Sequence, residues 1–266
     1  MPPLSILSTA SVVTALRAAG CVFAEDEAEL ILTTARTRDE AAAMVDRRVA
    51  GLPLELVLGW AEFAGLRITV EPGVFVPRRR TEFLVAEALA AVPGARVVVD
   101  LCCGSGAVGA ALTAALRNND GGVELHATDI DPGAVRCARR NIAPHGGHAH
   151  EGDLFAALPT DLRGRVDILA ANVPYVPSGE VPLLPSEARD HEPLVALDGG
   201  RDGLDVLRRV AAEALEWLAP GGCLLIETSE RQAFLALDIF QGSGLAARTA
   251  VSEEMYAHVI IGAARH

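Results

Sequence analysis

The chain of 266 residues contains no lysine, and all 23 of its basic residues are arginine. This absence excludes several kinds of active site. A Walker-type phosphate lysine, a Schiff-base lysine and a Tyr-x-x-x-Lys oxidoreductase pair each need a lysine amine, so no such site can exist here.

The sequence also lacks a long apolar run and a basic N-terminal segment leading into one. We therefore expect no membrane span and no signal peptide. The cysteines are Cys21, Cys102, Cys103, Cys137 and Cys223. Their odd number and irregular spacing suit a reducing cytoplasm better than a disulfide framework. We expect no metal at His145, His148 and His150, because their glycine-rich turn has no cysteine or carboxylate at ligand spacing.

Basic residues are too few to balance the 35 acidic ones, which leaves a net charge of −12. A broad phosphate-binding surface normally carries clustered arginine and lysine, so we predict no direct contact with nucleic acid. Acidity of this size suits a basic protein partner, because complementary charge speeds encounter. It also serves solubility alone, and the sequence leaves both explanations open.

Residues 1–80 are predicted to form a small accessory domain. Apolar positions at spacings of three and four predict three amphipathic helices, with Asp26 and Asp39 as caps or first-turn acids. The predicted helices are Ser8–Ala19, Ala24–Ala35 and Asp39–Val49. Gly65 and Pro72-Gly73 then separate short strands in the manner of a hairpin. These predicted strands are Trp60–Phe63, Leu66–Val70 and Val74–Val76. The boundary is placed near Pro77–Arg80.

Residues 81–266 alternate buried strands with helices, which indicates a parallel α/β sheet. Strands are predicted at 96–101, 123–128, 166–171 and 222–228, with a weaker one at 148–151. Helices are predicted at 81–91, 107–117, 132–141, 203–218 and 230–241. The chain ends in two apolar stretches, Leu245–Val251 and Tyr256–Ala264, which are too closely joined to be anything but antiparallel neighbours. A parallel sheet closed by such a hairpin is the class I S-adenosylmethionine-dependent methyltransferase fold.

A buried strand ending in Asp100-Leu101 runs into the glycine turn Cys102-Cys103-Gly104-Ser105-Gly106, and a helix follows at once. This geometry suits a nucleotide-like ligand, because the backbone approaches closely and the helix N-terminus offers unpaired N–H groups. Asp129 ends the next strand, where a carboxylate accepts hydrogen bonds from ribose hydroxyls. The sequence therefore predicts a cofactor site at this turn.

The glycine turn alone does not identify the cofactor. Gly104, Gly106 and Gly109 satisfy the G-x-G-x-x-G pattern of NAD sites, and a turn that only packs strand against helix is a further alternative. Asp100 before the turn, the terminal strand pair and the Asn172 motif favour S-adenosylmethionine. A third acid, Asp153, is predicted to accept the adenine amino group beside Leu154, with a helix cap as the alternative.

Asn172-Val173-Pro174-Tyr175 follows the fourth predicted strand beside the cofactor turn. An amide nitrogen is a poor nucleophile because its lone pair is delocalised into the carbonyl. The Asn172 side-chain oxygen and the Val173 carbonyl are predicted to accept its two N–H bonds, and Tyr175 to cover its plane. No strong base is needed, because positioning and fixed dipoles supply the catalysis.

These residues resemble the protein-(glutamine) N-methyltransferase family, the HemK/PrmC-like enzymes. The resemblance also covers Phe75-Val76-Pro77-Arg78, Gly152-Asp153-Leu154-Phe155, Glu192-Pro193 and the segment Ala196–Leu204. It implies a release factor, methylated on the glutamine of a Gly-Gly-Gln loop, as substrate and partner. It also implies that the helical N-terminal domain helps to recognise that partner.

The sequence departs from the family at several positions. Val173 replaces a proline, although its position before Pro174 still favours an extended backbone. Cys102 and Cys103 replace the family's Gly-Thr, which places a side chain against the methionine end of the cofactor. Arg79 and Arg80 replace the family's Pro-plus-variable pair; three arginines in a row are usually solvated charge. The departures predict a divergent branch.

Two other functions remain open at this point. An amino-methyltransferase of nucleic-acid bases uses a similar motif, and the charge counts against it. A non-catalytic S-adenosylmethionine-binding protein is the second alternative, in which Cys102 and Val173 mark lost activity.

Overall fold

The N-terminal part of the chain is a cluster of short helices in the computed structural model, which describes residues 8–117 and 122–264. Its helices are α1 (Thr9–Ala18), α2 (Ala24–Thr34), α3 (Arg38–Val49) and α4 (Leu54–Leu58). α1 and α3 begin where Ser8 and Thr37 accept backbone N–H bonds from the first turn. Their apolar faces share one core around Leu16 and Ile31. The three predicted helices are confirmed, and Asp26 and Asp39 are first-turn acids.

An antiparallel hairpin follows the helices. It consists of β1 (Trp60–Phe63) and β2 (Leu66–Thr69), as predicted. The third predicted strand, Val74–Val76, is wrong. Val74 donates to the Glu71 carbonyl in a turn, and Val76 donates to the Glu192 side chain instead of a neighbouring strand. Both valines are nevertheless buried: Val76 packs with Leu56, and Val74 packs against Ala134.

In the described residues, seven strands form one central sheet in the order β5-β4-β3-β6-β7-β9-β8. Five are parallel, while β9 runs antiparallel between β7 and β8. The strands are β3 (Val97–Leu101), β4 (Glu124–Asp129), β5 (His148–Glu151), β6 (Val166–Ala171), β7 (Leu218–Thr228), β8 (Ala246–Ser252) and β9 (Ala257–Ala263). The sheet and its terminal hairpin confirm the prediction, although β7 begins four residues before the predicted 222.

Helices cover both faces of the sheet, and the side chains of each strand alternate between two cores. Val98 faces the core under α5 and α6, whereas Val97 and Val99 face the core under α9 and α10. The helices are α5 (Glu82–Ala91), α6 (Ala107–Leu116), α7 (Pro132–Ile142), α8 (Ser186–His191), α9 (Asp205–Trp217) and α10 (Glu230–Gly242). Five of these were predicted; α8 and the N-terminal α4 were not, because each spans too few residues to show a period.

None of the helices within the described residues is both long and apolar enough to cross a membrane.

The hairpin residues Phe63 and Ile68 pack into the core under α5 and α6. The predicted division into residues 1–80 and 81–266 stays a prediction.

Candidate active site

A cleft opens where the parallel strands β3, β4, β5 and β6 end, the edge at which ligands of such sheets bind. The loop 73–81 and the rim segment (residues 177–198) form its other sides. The predicted site residues that line it are Asp100, Cys102, Cys103, Gly104, Ser105, Asp129, Asp153, Leu154, Asn172, Val173, Pro174 and Tyr175. Gly106 lies behind the turn, where a Cβ would come within 3.1 Å of Ala138.

The glycine turn is held open by left-handed backbone at three positions. Cys102, Gly104 and Gly106 have φ values of 52°, 53° and 77°. The turn is tied to β4, because the Cys103 N–H donates to the Thr128 carbonyl and the Gly104 N–H to Asp129. α6 begins directly after it, so helix N–H groups point into the cleft.

Two acids fix this turn in different ways. Asp100 is buried and accepts the Gly109 N–H at 2.9 Å, which pins α6 to β3. Burial raises the pKa of Asp100 to about 8. Asp129 accepts the N–H groups of Gly104 and Asp131 on separate oxygens, both at 2.9 Å. Its carboxylate is thus oriented at the end of β4, where the ribose of a nucleotide would lie.

Asp153 occupies the N-cap position of the 3₁₀ turn that follows it, but its side chain makes no cap hydrogen bond. Instead its Oδ2 pairs with the Arg209 guanidinium of α9 at 2.6 Å. Both side chains are half exposed, and both residues line the cleft. The helix-cap alternative is therefore wrong, and Arg209 is a cleft residue that the sequence did not indicate.

Asn172 follows β6, and its amide is oriented by Thr81. The Asn172 Nδ2 donates to the buried Thr81 hydroxyl at 3.5 Å, and Asn172 lines the cleft. Val173 is 1% exposed, so its backbone carbonyl belongs to a rigid wall. The two predicted acceptor groups are thus neighbours in the same cleft as the cofactor turn.

Tyr175 is fixed at both ends by residues that the sequence did not single out together. Its hydroxyl contacts Arg80 and donates to the buried Glu227 carboxylate at 3.4 Å. Its backbone carbonyl accepts from the Gln232 side chain at 2.8 Å. Burial first, and the Glu227 charge second, raise the pKa of Tyr175 to about 12.

The arginines at 78 and 80 are not the solvated charges that the sequence predicted. Arg80 donates to Glu227 at 3.1 Å, and Arg78 donates to the buried Glu192 at 2.5 Å. Burial raises the pKa of Glu192. These ion pairs connect the loop before α5 to β7 and to the rim segment.

The glycine at 203 lets the chain that follows the rim segment pass close to the Tyr175 backbone. Gly203 has a φ of 77°, and a Cβ there would lie 2.2 Å from the Tyr175 carbonyl oxygen. Gln232 bridges that carbonyl and the Asp202 carbonyl. Only glycine therefore permits this approach at position 203.

His148 and His150 lie on the edge strand β5, His145 lies in the turn before it, and none of the three lines the cleft. The His150 ring stacks on His126 of β4 with 2.9 Å between ring nitrogens, whereas the His148 ring is tilted against His126. Within residues 8–117 and 122–264 no group of three or more His, Cys, Asp or Glu side chains has a metal-binding geometry.

The residues of the cleft fit S-adenosylmethionine. Carboxylates stand at the ends of β4 and β5, where a ribose and an amino-bearing base need acceptors. An amide oxygen at the end of β6 lines the same cleft. Cys102 is the poorest match, because a residue with a Cβ has left-handed backbone at the lining of this space.

Comparisons with known proteins agree with this geometry. The family model described as methyltransferase small domain matches residues 65–182. A release factor glutamine methyltransferase of Geobacter sulfurreducens is 39% identical over 203 residues, which cover 76% of this chain and 69% of that protein. A 4-amino-L-phenylalanine/4-methylamino-L-phenylalanine methyltransferase of Streptomyces pristinaespiralis is 34% identical, over 75% of this chain and 70% of that protein.

Solved structures show the same fold at lower identity. The T. thermophilus 16S rRNA N2 G1207 methyltransferase (RsmC), solved with AdoMet and guanosine, superposes with a TM-score of 0.53. The match is 22% identical and covers 77% of this chain and 50% of that one. Together with the parallel sheet and its antiparallel hairpin, this establishes the S-adenosylmethionine-dependent methyltransferase fold.

Proposed function

The chain belongs to the release factor glutamine methyltransferase family, and on that premise we propose that it methylates the side-chain amide nitrogen of a glutamine in a protein. The Gly-Gly-Gln loop of a peptide-chain release factor is the acceptor that fits best. The observation that carries the proposal is that Asn172 and Val173, at the tip of β6, line one cleft with the cofactor turn.

The acceptor amide needs its two N–H bonds held so that the nitrogen lone pair points at the methyl group. Asn172 has the correct orientation for one of them, because Thr81 engages its NH2 and leaves its oxygen free. The rigid Val173 carbonyl takes the other. Tyr175, fixed by Arg80, Glu227 and Gln232, closes the plane of the amide against water.

S-adenosylmethionine supplies a methyl group on a sulfonium sulfur, which is electrophilic without further activation. Transfer to the amide nitrogen would form a carbon–nitrogen bond and break the carbon–sulfur bond, with S-adenosylhomocysteine as the leaving group, and the nitrogen would lose one proton to solvent. The chain therefore contributes positioning, which brings the reacting atoms to about 3–3.5 Å, and fixed dipoles that stabilise the transition state.

The proposal is tested with Asn172→Ala and purified release factor, using labelled S-adenosylmethionine. We expect the turnover number to fall about 100-fold, as for loss of one preorganised polar group, while S-adenosylhomocysteine binds within about twofold of wild type. Thr81→Val should lower turnover and Thr81→Ser should not, because serine keeps the hydroxyl that orients Asn172. Equal losses of turnover and cofactor affinity in Asn172→Ala would contradict the role.

The acceptor itself is tested by mapping the label. Label on glutamine, lost when the acceptor glutamine is changed to alanine, supports the proposal. Label on nucleic acid, removed by nuclease, would indicate a base amino-methyltransferase. S-adenosylhomocysteine binding without transfer to any acceptor would indicate a non-catalytic protein.

One comparison favours a second candidate. The relative from Streptomyces pristinaespiralis bears the name of an enzyme that methylates an amino group of a free amino acid. The rim of this cleft includes apolar residues such as Leu184, Val195 and Leu197, which would accept a small aromatic amine. Turnover of 4-aminophenylalanine at a rate exceeding that of the release factor would favour this candidate.

A further inference from the structure

Arg209 occupies an unusual place for a surface cation. It projects from α9 into the lining of the cofactor cleft and pairs with Asp153, which directly follows β5 and Gly152. The two residues are 56 positions apart, so their meeting is a product of the fold. No role in the methyl-transfer geometry described above requires this arginine.

The two oxygens of the Asp153 carboxylate differ in their hydrogen bonding. Oδ2 takes the guanidinium at 2.6 Å, and this is the only hydrogen bond to the carboxylate from the described residues. Its side chain does not cap the following turn. Oδ1 is thus left to accept a donor, while the bond to Oδ2 restricts the rotamer of a side chain that is otherwise half exposed.

We propose that Arg209 is a positioning residue for base recognition, which aims Asp153 Oδ1 at the exocyclic amino group of the cofactor's adenine. The arginine itself does not touch the base. A carboxylate oxygen held in place accepts an N–H and repels a carbonyl oxygen, so the pair selects a 6-amino purine over a 6-oxo purine. The proposal rests on the assignment of S-adenosylmethionine to this cleft and is independent of which acceptor is methylated.

The neighbouring Arg208 provides an internal comparison. It lies on the same helix and also forms ion pairs with carboxylates, at 2.5 Å to Asp202 and 3.1 Å to Asp205. It is absent from the cleft lining. A half-exposed ion pair contributes little stability, so both arginines should be similarly dispensable for folding. Only Arg209 should affect the choice of base.

The test measures the dissociation constants of S-adenosylhomocysteine and S-inosylhomocysteine, in which a carbonyl oxygen replaces the amino group, by calorimetry. Their ratio does not depend on the fraction of folded protein. We expect Arg209→Ala to reduce the preference for adenine about threefold to tenfold, because a charge-assisted hydrogen bond becomes less well aligned. Arg209→Lys should restore part of it, and Arg208→Ala should keep the wild-type ratio. Asp153→Asn should lose most of the preference, because its amide also donates.

Three results would overturn the proposal. An unchanged ratio in Arg209→Ala would make the pair an ordinary surface ion pair. Tighter binding of S-adenosylhomocysteine by Arg209→Ala would mean that the arginine competes with adenine for Asp153. Failure of wild-type protein to bind S-adenosylhomocysteine would overturn the proposed function as well. Base selection without methylation of a release factor would contradict only the acceptor assignment.

Discussion

The residue Cys102 is unfavourable in two respects, namely its backbone conformation and its position in the cofactor cleft. Its φ of 52° is left-handed, a conformation that costs a residue with a Cβ about 1–2 kcal/mol relative to glycine. Cys102 lines the cleft beside the glycine turn and packs against the core under α9 and α10, and burial raises the pKa of its thiol, so it stays neutral. We predict that Cys102→Gly binds S-adenosylhomocysteine about threefold more tightly and is about 1 kcal/mol more stable to denaturant.

The control for this prediction is Cys102→Ser, which keeps a side chain of similar size at the same φ. It should gain neither affinity nor stability. Calorimetric titration and urea unfolding measure the two quantities separately. Weaker cofactor binding by the glycine variant would show that the thiol makes a favourable contact with the ligand.

At the level of residues, the sequence predicted those site members that lie at strand ends. Asn172 and Asp153 were predicted because parallel strands all end at one edge of their sheet. Arg209 and the pairing of Arg80 with Glu227 were not, because their partners lie 56 and 147 positions away in the chain. Such pairs depend on how helices and loops pack, which leaves no local pattern in the sequence.

The edge of the sheet formed by β4 and β5 contains a cluster of histidines that should make stability depend on pH. Burial, first of all, lowers the pKa of His126 and of His150 below the usual 6.5. The second influence on His150 is the charge of His126. Glu124 lies 3.3 Å from the other His126 nitrogen and opposes the effect.

Unfolded histidines bind protons more readily than these folded ones. These two groups therefore lower the free energy of unfolding as the pH falls below about 6.5, against the opposite contribution of Asp100, whose folded-state pKa is raised. We predict that, between about pH 6.5 and 5, the wild type loses stability relative to His126→Leu with His150→Gln. Urea unfolding across this range provides the measurement.

At pH 8, where these histidines are neutral in both states, the difference between the two proteins reports the change in packing alone. This comparison serves as the control for the pH series. Parallel pH dependences of the wild type and the double variant would show that the cluster does not titrate with folding.

At the level of elements, periodicity predicted long helices and strands well and short ones poorly. The strand Val97–Leu101 is buried for its whole length and is bounded by clear turns. Val74–Val76 has the alternation of a strand, yet Pro72 and Pro77 flank it and its N–H groups bond elsewhere. A three-residue pattern cannot distinguish a strand from an extended loop against a core.

In the whole molecule, Arg48 connects the N-terminal helices to the rim of the active site. It lies on α3 and donates to the buried Glu27 of α2 at 2.6 and 3.2 Å. It also reaches Glu187 of α8 in the rim segment at 3.1 Å. Since α8 contributes Glu187 and Ala188 to the cleft lining, this arginine joins the helical unit to the entrance for the acceptor.

The two ion pairs of Arg48 should contribute differently to stability. Arg48→Ala leaves Glu27 buried without its cation, so we expect a loss of about 3 kcal/mol in the free energy of unfolding. Glu187 is 55% exposed, and Glu187→Gln should change stability by less than about 1 kcal/mol.

The kinetic consequence of Glu187→Gln follows from where the contact lies. Loosening α8 from α3 should leave S-adenosylhomocysteine affinity and turnover of a short glutamine peptide unchanged, because the cofactor turn and Asn172 are untouched. It should raise the KM for an intact release factor about threefold, since only a large acceptor spans both the helices and the rim. Glu216→Gln is the matched control, because Glu216 is 58% exposed, pairs with Arg163 and is absent from the cleft lining. An equal rise in KM for the peptide and the protein would place the effect of Glu187 inside the catalytic cleft and would contradict a role for the helical unit in acceptor recognition.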